Sequence, residues 1–308
     1  MDLHQYEAVG YFCQDEQRLA TDFARPYNST DRSVNQYRNL AMPEPLVLSH
    51  DSDAVRTLTL NRPVSLNSFN AAMHEQLLRA LDEAAEQPGV RCLILTGAGR
   101  AFSAGQDLAA PGVAPVGGPG VSLPDLGAVI DRFYKPLVQR LRSLPVPTVA
   151  AVNGVAAGAG ANVALNCDLV IAAQSASFIQ AFGKIGLIPD TGGTWLLPRL
   201  VGRARALGLT MLGDKLPAPD AERIGLIWRC VPDEQLTAES QGLAHKLAAM
   251  PTRALVATRR CIDSAQLADL DEALANETTT QRILGQEHDY REGVAAFKDR
   301  RTPHFTDR

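Results

Sequence analysis

The chain has 308 residues, enough to bury a full hydrophobic core in one large domain or two smaller ones. Its composition, 45% hydrophobic and 21% charged, is that of an ordinary globular protein, and a formal net charge of -4 argues against nucleic acid as the main partner. No apolar run approaches the roughly 20 residues that a membrane-spanning helix needs, so a membrane protein is not expected.

The first 44 residues are polar, rich in Gln, Asn, Asp and Arg, and without sustained periodicity. This composition predicts a poorly ordered N-terminal extension, and it lacks the apolar core of a secretory signal. Met42 stands just before the first convincing strand and is a candidate for the natural start of the protein.

The five cysteines are widely spaced and include no CxxC pair, which is typical of free thiols in a reducing cytoplasm. The six histidines are equally dispersed, so no metal cluster is predicted. We therefore expect a cytoplasmic protein without a bound metal.

Short apolar runs and amphipathic stretches alternate after the extension. Strands are predicted at residues 54–60, 90–96, 147–152 and 168–173, and helices at 71–85 and 126–143. Residues 109–124 contain four glycines and four prolines and are predicted to form a loop beside a site. The pattern is mostly helical from Gly202 to Phe297. This order of elements predicts an α/β fold with a helical C-terminal region.

Two segments are rich in small residues and each follows a predicted strand: AFSAGQDL at 101–108 and NGVAAGAGA at 153–161. Small residues let a ligand approach backbone N–H groups, and two N–H groups aimed at one point would form an oxyanion hole. Taken one at a time, each segment is more often a tight turn beside a closely packed helix. Neither matches GxGxxG, a Walker A loop or GxSxG, so the usual nucleotide and hydrolase sites are excluded.

Asp190 lies in a third segment, KIGLIPDTGGT at 184–194, between an apolar run and a glycine turn that opens a helix. An aspartate there is commonly an N-cap. A carboxylate against an apolar wall can instead have a raised pKa and transfer protons. The residues alone leave both interpretations open.

Together the stretches AFSAGQDL, AVNGVAAGAGANVALNCDLVIAA and FGKIGLIPDTGGTWLLPRLVGRARA resemble the crotonase (enoyl-CoA hydratase/isomerase) superfamily. They occur in the family's order and spacing, and the match runs from about residue 46 to the C-terminus. The resemblance implies a ClpP/crotonase-like spiral of ββα units over residues 45–240. It also implies a C-terminal helical region, 241–308, that mediates assembly into homotrimers or hexamers.

The resemblance also implies roles for individual residues. The backbone N–H groups of Gln106 and Ala159 match the oxyanion-hole donors, and Asp190 matches the acid of isomerase-type members. The substrate would be an acyl-CoA, with coenzyme A as part of the substrate and no separate cofactor. Residues that match positions contacting the CoA ester are Ala104, Gly105, Asp107, Leu108, Phe182, Phe297 and Arg300, the last two sometimes from a neighbouring subunit.

Two departures from the family pattern favour isomerisation over hydration. The positions of the two glutamates of hydratases are occupied by Asn162 and Phe182, neither of which exchanges a proton with water at neutral pH. One carboxylate suffices to move a proton within the substrate.

The segments are most similar to an isomerase branch of phenylacetate degradation that acts on a ring epoxide, so enzymes of that pathway are expected partners. The alternatives are a broad-specificity enoyl-CoA hydratase and a catalytically weak CoA-ester binding or scaffold protein. Phe182 and Trp195 could line an apolar acyl pocket, although each is more often plain core.

Overall fold

The computed structural model describes residues 45–113 and 123–308. The predicted N-terminal extension lies outside the described residues, as does most of the predicted loop at 109–124. In the described part of the chain, no helix combines the length and the apolar character needed to cross a membrane.

Two sheets form the centre of the described chain. The six-stranded sheet has the spatial order β1 (Val47–Ser52), β2 (Val55–Leu60), β3 (Cys92–Gly97), β5 (Thr148–Val152), β7 (Leu169–Ala173) and β10 (Arg229–Val231). The four-stranded sheet has the order β4 (Ala101–Ser103), β6 (Val155–Ala157), β8 (Ser177–Ile179) and β9 (Lys215–Pro217). Neighbouring strands run parallel, except for the antiparallel pairs β1–β2 and β8–β9.

The helices follow the strands in a regular way. They are α1 (Ala71–Glu86), α2 (Leu126–Val129), α3 (Lys135–Ser143), α4 (Ala159–Leu165), α5 (Gly193–Leu212), α6 (Ala218–Arg223), α7 (Leu236–Ala248), α8 (Thr252–Ala265), α9 (Leu270–Leu284) and α10 (His288–Asp299). Shorter 3-10 segments lie at Pro63–Ser65, Ala181–Ile185 and Asp233–Gln235.

A repeated ββα unit gives the two sheets their order. β3 and β4 precede α2–α3, β5 and β6 precede α4, and β7 and β8 precede α5. In each unit the first strand joins the larger sheet and the second joins the smaller one. The expected spiral of ββα units is confirmed.

The core lies between the larger sheet and the helices that cover it. All five residues of β5 are buried, as expected for a parallel strand covered on both faces. The side chain of Asn70 accepts a hydrogen bond from the Met73 N–H and so caps α1, which buries Met73, Leu77 and Leu81. Helix α7 packs on β3 and β5. Because α7 crosses residue 240, the expected domain boundary falls inside a helix and stays a prediction.

Most of the predicted elements are present, but the short strands were missed. The sequence did not predict β1, the four three-residue strands of the smaller sheet, or β10. The expectation of mostly helix from Gly202 to Phe297 is confirmed, although the two three-residue strands β9 and β10 interrupt that region. Three residues are too few to show a strand periodicity, and their partners are distant in sequence.

The predicted helix at 126–143 is present, with one irregularity. Residues Ile130–Tyr134, between α2 and α3, form a π-helical turn. Such turns are rare and occur frequently at functional sites. The turn ends at Tyr134, whose side chain is buried.

The C-terminal helices α8, α9 and α10 carry much of the exposed apolar surface. Large exposed side chains in this region are Ile262, Leu267, Leu270, Leu274, Ile283, Val294 and Phe297. Phe297 lines a groove of about 510 Å³ together with residues of α8, α9 and the C-terminal tail. The carboxylate of Asp289 accepts the N–H groups of Thr306 and Asp307, which fastens the tail to α10.

Candidate active site

The predicted site segments follow the carboxyl ends of three neighbouring strands of the smaller sheet. Gln106 follows β4, Ala159 follows β6 and Phe182 follows β8. Because these strands are parallel and adjacent, their carboxyl ends lie at one edge of the sheet. The topology therefore brings together segments that are up to eighty residues apart in sequence.

Gly105 allows the segment 101–108 to contact the segment 153–161. Its φ is +86°, and a Cβ atom there would lie 2.7 Å from the Ala157 carbonyl oxygen and 3.2 Å from the Ala159 backbone nitrogen. Any side chain would clash with the backbone and would also disfavour this φ. Glycine at 105 is therefore required for the close approach of the two chain segments.

Two backbone N–H groups at this contact have no acceptor in the described part of the chain. The Gly105 N–H bonds to the Ser103 hydroxyl, and the Gly158 N–H bonds to the Ile179 carbonyl. In contrast, the N–H groups of Gln106 and Ala159 donate no hydrogen bond among the described residues. Ala159 is nevertheless buried, at 2% exposure. Buried N–H groups are nearly always paired, so two unpaired ones at a close contact suit a ligand oxygen.

Asp190 lies in a loop that asparagine side chains hold in place. The Asn162 side-chain amide donates to the Asp190 carbonyl at 2.8 Å, and the Asn166 amide donates to the Thr191 carbonyl at 3.0 Å. Thr191 has a positive φ of 53°, and a Cβ atom at Gly193 would lie 2.4 Å from the Asn162 amide nitrogen. The loop is tightly packed and built around a strained backbone.

The Asp190 carboxylate is set up to hold a proton more readily than an exposed aspartate. Burial raises its pKa, and the hydrogen bond from the Thr191 hydroxyl at 2.7 Å partly opposes this shift. The N-cap interpretation is not supported, because the N-cap of α5 is Gly192 without a side-chain hydrogen bond. A carboxylate with a raised pKa is a stronger base, as proton transfer from carbon requires.

Tyr134 interacts with both Gln106 and Asp190, by a hydrogen bond to the first and through the charge of the second. The Tyr134 hydroxyl donates to the Gln106 side-chain oxygen at 2.8 Å. The pKa of Tyr134 is raised by burial and also by the negative charge of Asp190. Tyr134 therefore bonds to Gln106 directly and lies within the electrostatic influence of Asp190.

Comparison with known proteins assigns the family. The sequence pattern of the enoyl-CoA hydratase/isomerase family matches residues 50–308. The chain belongs to this family. It is 54% identical to the 1,2-epoxyphenylacetyl-CoA isomerase of Escherichia coli over 260 residues, which are 84% of this chain and 98% of that protein. It is 46% identical to a probable enoyl-CoA hydratase of Rhodobacter capsulatus, over 83% of this chain and 96% of that one.

Solved structures of the family share this fold. The crystal structure of an enoyl-CoA hydratase from Bacillus anthracis superposes with a TM-score of 0.78 and 31% identity, covering 85% of this chain and 100% of that one. An enoyl-CoA hydratase from Geobacillus kaustophilus gives a TM-score of 0.76 and 32% identity, over 84% and 97% of the two chains. The expected crotonase fold is confirmed.

The two positions where hydratases carry glutamates have other functions in this family member. Both polar ends of the Asn162 side chain are used, because its oxygen accepts a hydrogen bond from Gln180 at 2.9 Å. Phe182 is buried, and its ring lies 3.7 Å from the Cβ position of Gly158. Asn162 therefore anchors the Asp190 loop, and Phe182 provides an apolar wall beside the Ala159 segment.

The remaining residues predicted to contact CoA fall into two groups. Ala104 and Gly105 lie at the contact between β4 and β6, and Leu108 is exposed. Asp107 forms an ion pair with Arg62 at 3.0 Å and accepts the Ala109 N–H, so its carboxylate shapes the loop. Their predicted contacts with CoA stay predictions.

Phe297 and Arg300 form the second group, at the end of α10. Phe297 is 86% exposed, and Arg300 ends the helix with a positive φ of 53°. Among the described residues, neither has a hydrogen bond or ring contact with the three site segments. The predicted contacts of Phe297 and Arg300 with CoA stay predictions.

Trp195 has a packing role of its own. The guanidinium groups of Arg142 and Arg199 lie over its ring, 4.8 and 4.3 Å from the centroid. Such contacts stabilise a partly exposed indole. Its predicted part in the acyl pocket stays a prediction.

Sequence reasoning missed several residues that shape the site. Tyr134 is spaced with Leu137 and Leu141 as a core position of a helix, which predicts burial but no function. Arg62 lies in a turn signal, and nothing in the sequence relates it to Asp107. Asn162 was noted only as a replaced glutamate. These roles depend on contacts between distant segments.

Proposed function

We propose that this chain is a CoA-thioester isomerase that acts through Asp190. The proposal is carried by the partly buried carboxylate of Asp190, which has a raised pKa and lies on a loop bonded to the helix that Ala159 opens, together with two backbone N–H groups that have no acceptor among the described residues. The positions that the resemblance matches to the hydratase glutamates hold Asn162 and Phe182, which leaves Asp190 as the carboxylate of the three site segments that has a raised pKa. Isomerisation needs no more than one, since the proton taken from one carbon is returned to another.

In the proposed mechanism the thioester oxygen accepts hydrogen bonds from the N–H groups of Gln106 and Ala159. Asp190 takes a proton from C2, and the two donors stabilise the enolate oxygen. Loss of one such donor costs about 3 kcal/mol in a well-studied hydrolase, so two would contribute substantially. In a 3-enoyl-CoA the proton returns at C4, and the double bond moves to C2.

We further propose 1,2-epoxyphenylacetyl-CoA as the substrate and an oxepin-CoA as the product. The bond shared by the two rings of the epoxide opens to a seven-membered ring, and the C2 proton returns to a ring carbon. No atom is gained or lost, so no separate cofactor is needed. The 54% identity to an isomerase named for this substrate supports the choice. A role in phenylacetate catabolism beside other enzymes of that pathway is part of this proposal.

Replacement of Asp190 by Asn tests the proposal. We expect kcat to fall about 100- to 10,000-fold with both the ring epoxide and a 3-enoyl-CoA. The dissociation constant of the CoA ester should change little, because asparagine keeps the size and the bond to Thr191. Asp214→Asn is the matched control, since Asp214 has a side chain that is 77% exposed. Mass spectrometry of the product distinguishes the alternatives: a hydratase gives hydroxyacyl-CoA, and a binding protein gives no product.

We also propose that the protein assembles as a homotrimer or a dimer of trimers through α8–α10. The exposed apolar side chains of these helices support a surface that another copy covers. Phe297 and Arg300 would then reach the CoA of a neighbouring subunit. Light scattering should give a mass of three or six chains, and a monomer at working concentration would contradict the assembly.

A further inference from the structure

The side chain of Gln106 is held at both ends. Its amide nitrogen donates to the Phe69 carbonyl at 3.0 Å and to the Asp107 carbonyl at 3.2 Å. Its amide oxygen accepts from the Tyr134 hydroxyl at 2.8 Å. Because two carbonyls require a donor and the phenol supplies one, the orientation of the amide is fixed by its partners. A side chain fixed at both ends restrains the backbone to which it is attached.

The backbone beside Gln106 is restrained on the same side. The Phe69 N–H donates to the Gly105 carbonyl at 2.7 Å, and the Asp107 N–H donates to the Phe69 carbonyl at 2.9 Å. The peptide groups on both sides of Gln106 are therefore tied to Phe69. The Gln106 N–H belongs to the same trans peptide group as the Gly105 carbonyl, so it points away from Phe69, and it has no acceptor among the described residues.

Tyr134 is placed for this contact by an unusual backbone. It is the last residue of the π-helical turn Ile130–Tyr134, and its side chain is 1% exposed. A buried phenol requires a hydrogen-bond partner. In the described part of the chain, its hydroxyl bonds to Gln106 alone.

Aromatic packing prevents the Tyr134 ring from moving away. The rings of His74 and Phe69 contact it edge-on, with centroids 4.5 and 6.1 Å away. His74 is itself stacked between Phe69 and Phe133. We call these four residues, Phe69, His74, Phe133 and Tyr134, the aromatic cluster. Burial and the charge of Asp190 raise the pKa of Tyr134, so the phenol keeps its proton and remains a donor at neutral pH.

We propose that Tyr134 is a positioning residue for the isomerisation. Its hydroxyl fixes the Gln106 side chain, and through it the direction of the Gln106 N–H that binds the thioester oxygen. This inference rests on the proposed function of the same site. In this role Tyr134 acts on the transition state through Gln106.

Tyr134→Phe removes the hydroxyl and keeps the ring. We expect kcat to fall about 10-fold, the typical effect of one hydrogen bond, while KM stays within about 2-fold. A change confined to the transition state should lower kcat and kcat/KM together. Ser264→Ala is the control, because that hydroxyl bonds only within its own helix, and it should leave both constants unchanged.

A double-mutant cycle separates positioning from a general packing effect. Gln106→Met keeps the backbone N–H and the length of the side chain but cannot bond to Tyr134. We expect the double variant to be no slower than Gln106→Met alone, within about 2-fold, because the two residues act as one unit. The inference would be overturned if the fold-losses in kcat of the two single variants multiplied in the double variant. It would also be overturned if Tyr134→Phe lowered the melting temperature and left kcat unchanged.

The Asp190→Asn variant distinguishes this inference from the function on which it rests. If Asp190→Asn is inactive and Tyr134→Phe is fully active, the isomerase proposal stands and the role of Tyr134 is rejected. If Asp190→Asn retains turnover, the proposed function itself fails, whatever Tyr134→Phe does.

Discussion

The edge of the smaller sheet and the C-terminal helices differ in how far their side chains are covered by the rest of the chain. At the sheet edge, Gly105, Asn162 and the aromatic cluster fill the available space, and most polar groups find partners within the chain. On α8–α10, large apolar side chains such as Phe297 point outward. The first region is packed by residues of the same chain, whereas the second leaves large apolar side chains exposed, which supports the proposed assembly. Catalytic geometry and assembly should therefore respond to different mutations.

The largest expected effect comes from filling the contact between the two site segments. Gly105→Ala introduces a Cβ atom 2.7 Å from the Ala157 carbonyl at a φ of +86°. We expect kcat to fall at least about 100-fold, because a displacement of roughly 1 Å at a catalytic contact has effects of that size. Steady-state kinetics with a CoA ester measure it.

Gly242→Ala is the matched control for this change. A Cβ atom at Gly242, inside α7, meets nothing within 4 Å. Alanine should stabilise the helix by about 0.5–1 kcal/mol and leave kcat unchanged. Equal activities of the two alanine variants would refute the close contact at Gly105.

The next effect concerns the aromatic cluster. His74 is buried, neither ring nitrogen has a partner among the described residues, and burial lowers its pKa from 6.5 to about 4. Between pH 6.5 and pH 4, His74 is therefore protonated in the unfolded chain and neutral in the folded chain. Stability should fall by about 3 kcal/mol as the pH is lowered through this window, from this group alone.

Urea unfolding of the wild type and His74→Phe at pH 7 and pH 4 measures this contribution. We expect the difference between the two pH values to be smaller in His74→Phe. His288→Gln, on the exposed start of α10, should keep the wild-type difference. The same loss of stability in all three proteins would exclude His74 as the cause.

The smallest effect is expected at the C-terminal helices. Phe297→Ser alters a side chain that is 86% exposed, so the fold of a single chain should be unchanged by circular dichroism. KM for the CoA ester should rise about 5-fold, because one apolar contact from a neighbouring subunit is lost. Val64→Ser is the control, because Val64 is an apolar residue that is 99% exposed and lies outside these helices. A KM equal to that of the wild type would remove Phe297 from the CoA site.

The sequence was sufficient for the elements with clear periodicity and for the candidate acid. The strands β2, β3, β5 and β7 and the helix from Ala71 were predicted because their apolar residues extend over several positions, whereas β1, which is mostly exposed, was not predicted. β4, β6 and β8 were not, because three residues carry no pattern and their pairing is decided by distant strands. Yet these short strands bring Gln106, Ala159 and Phe182 together.

For a similar reason, the sequence does not predict the burial and the hydrogen bonds of Asp190. The segment around Asp190 left an N-cap and an acid equally open, and the burial that raises its pKa comes from the packed loop. The link from Tyr134 to Gln106 spans 28 residues and depends on a π-helical turn that no spacing rule predicts.

The most direct test of the account is a crystal structure of the Asp190→Asn variant with an acyl-CoA bound. We expect the thioester oxygen about 2.7–3.1 Å from the backbone nitrogens of both Gln106 and Ala159, with C2 facing residue 190. A thioester oxygen bound away from these two nitrogens, or residue 190 turned to solvent on the opposite side of the ligand, would contradict the proposed mechanism.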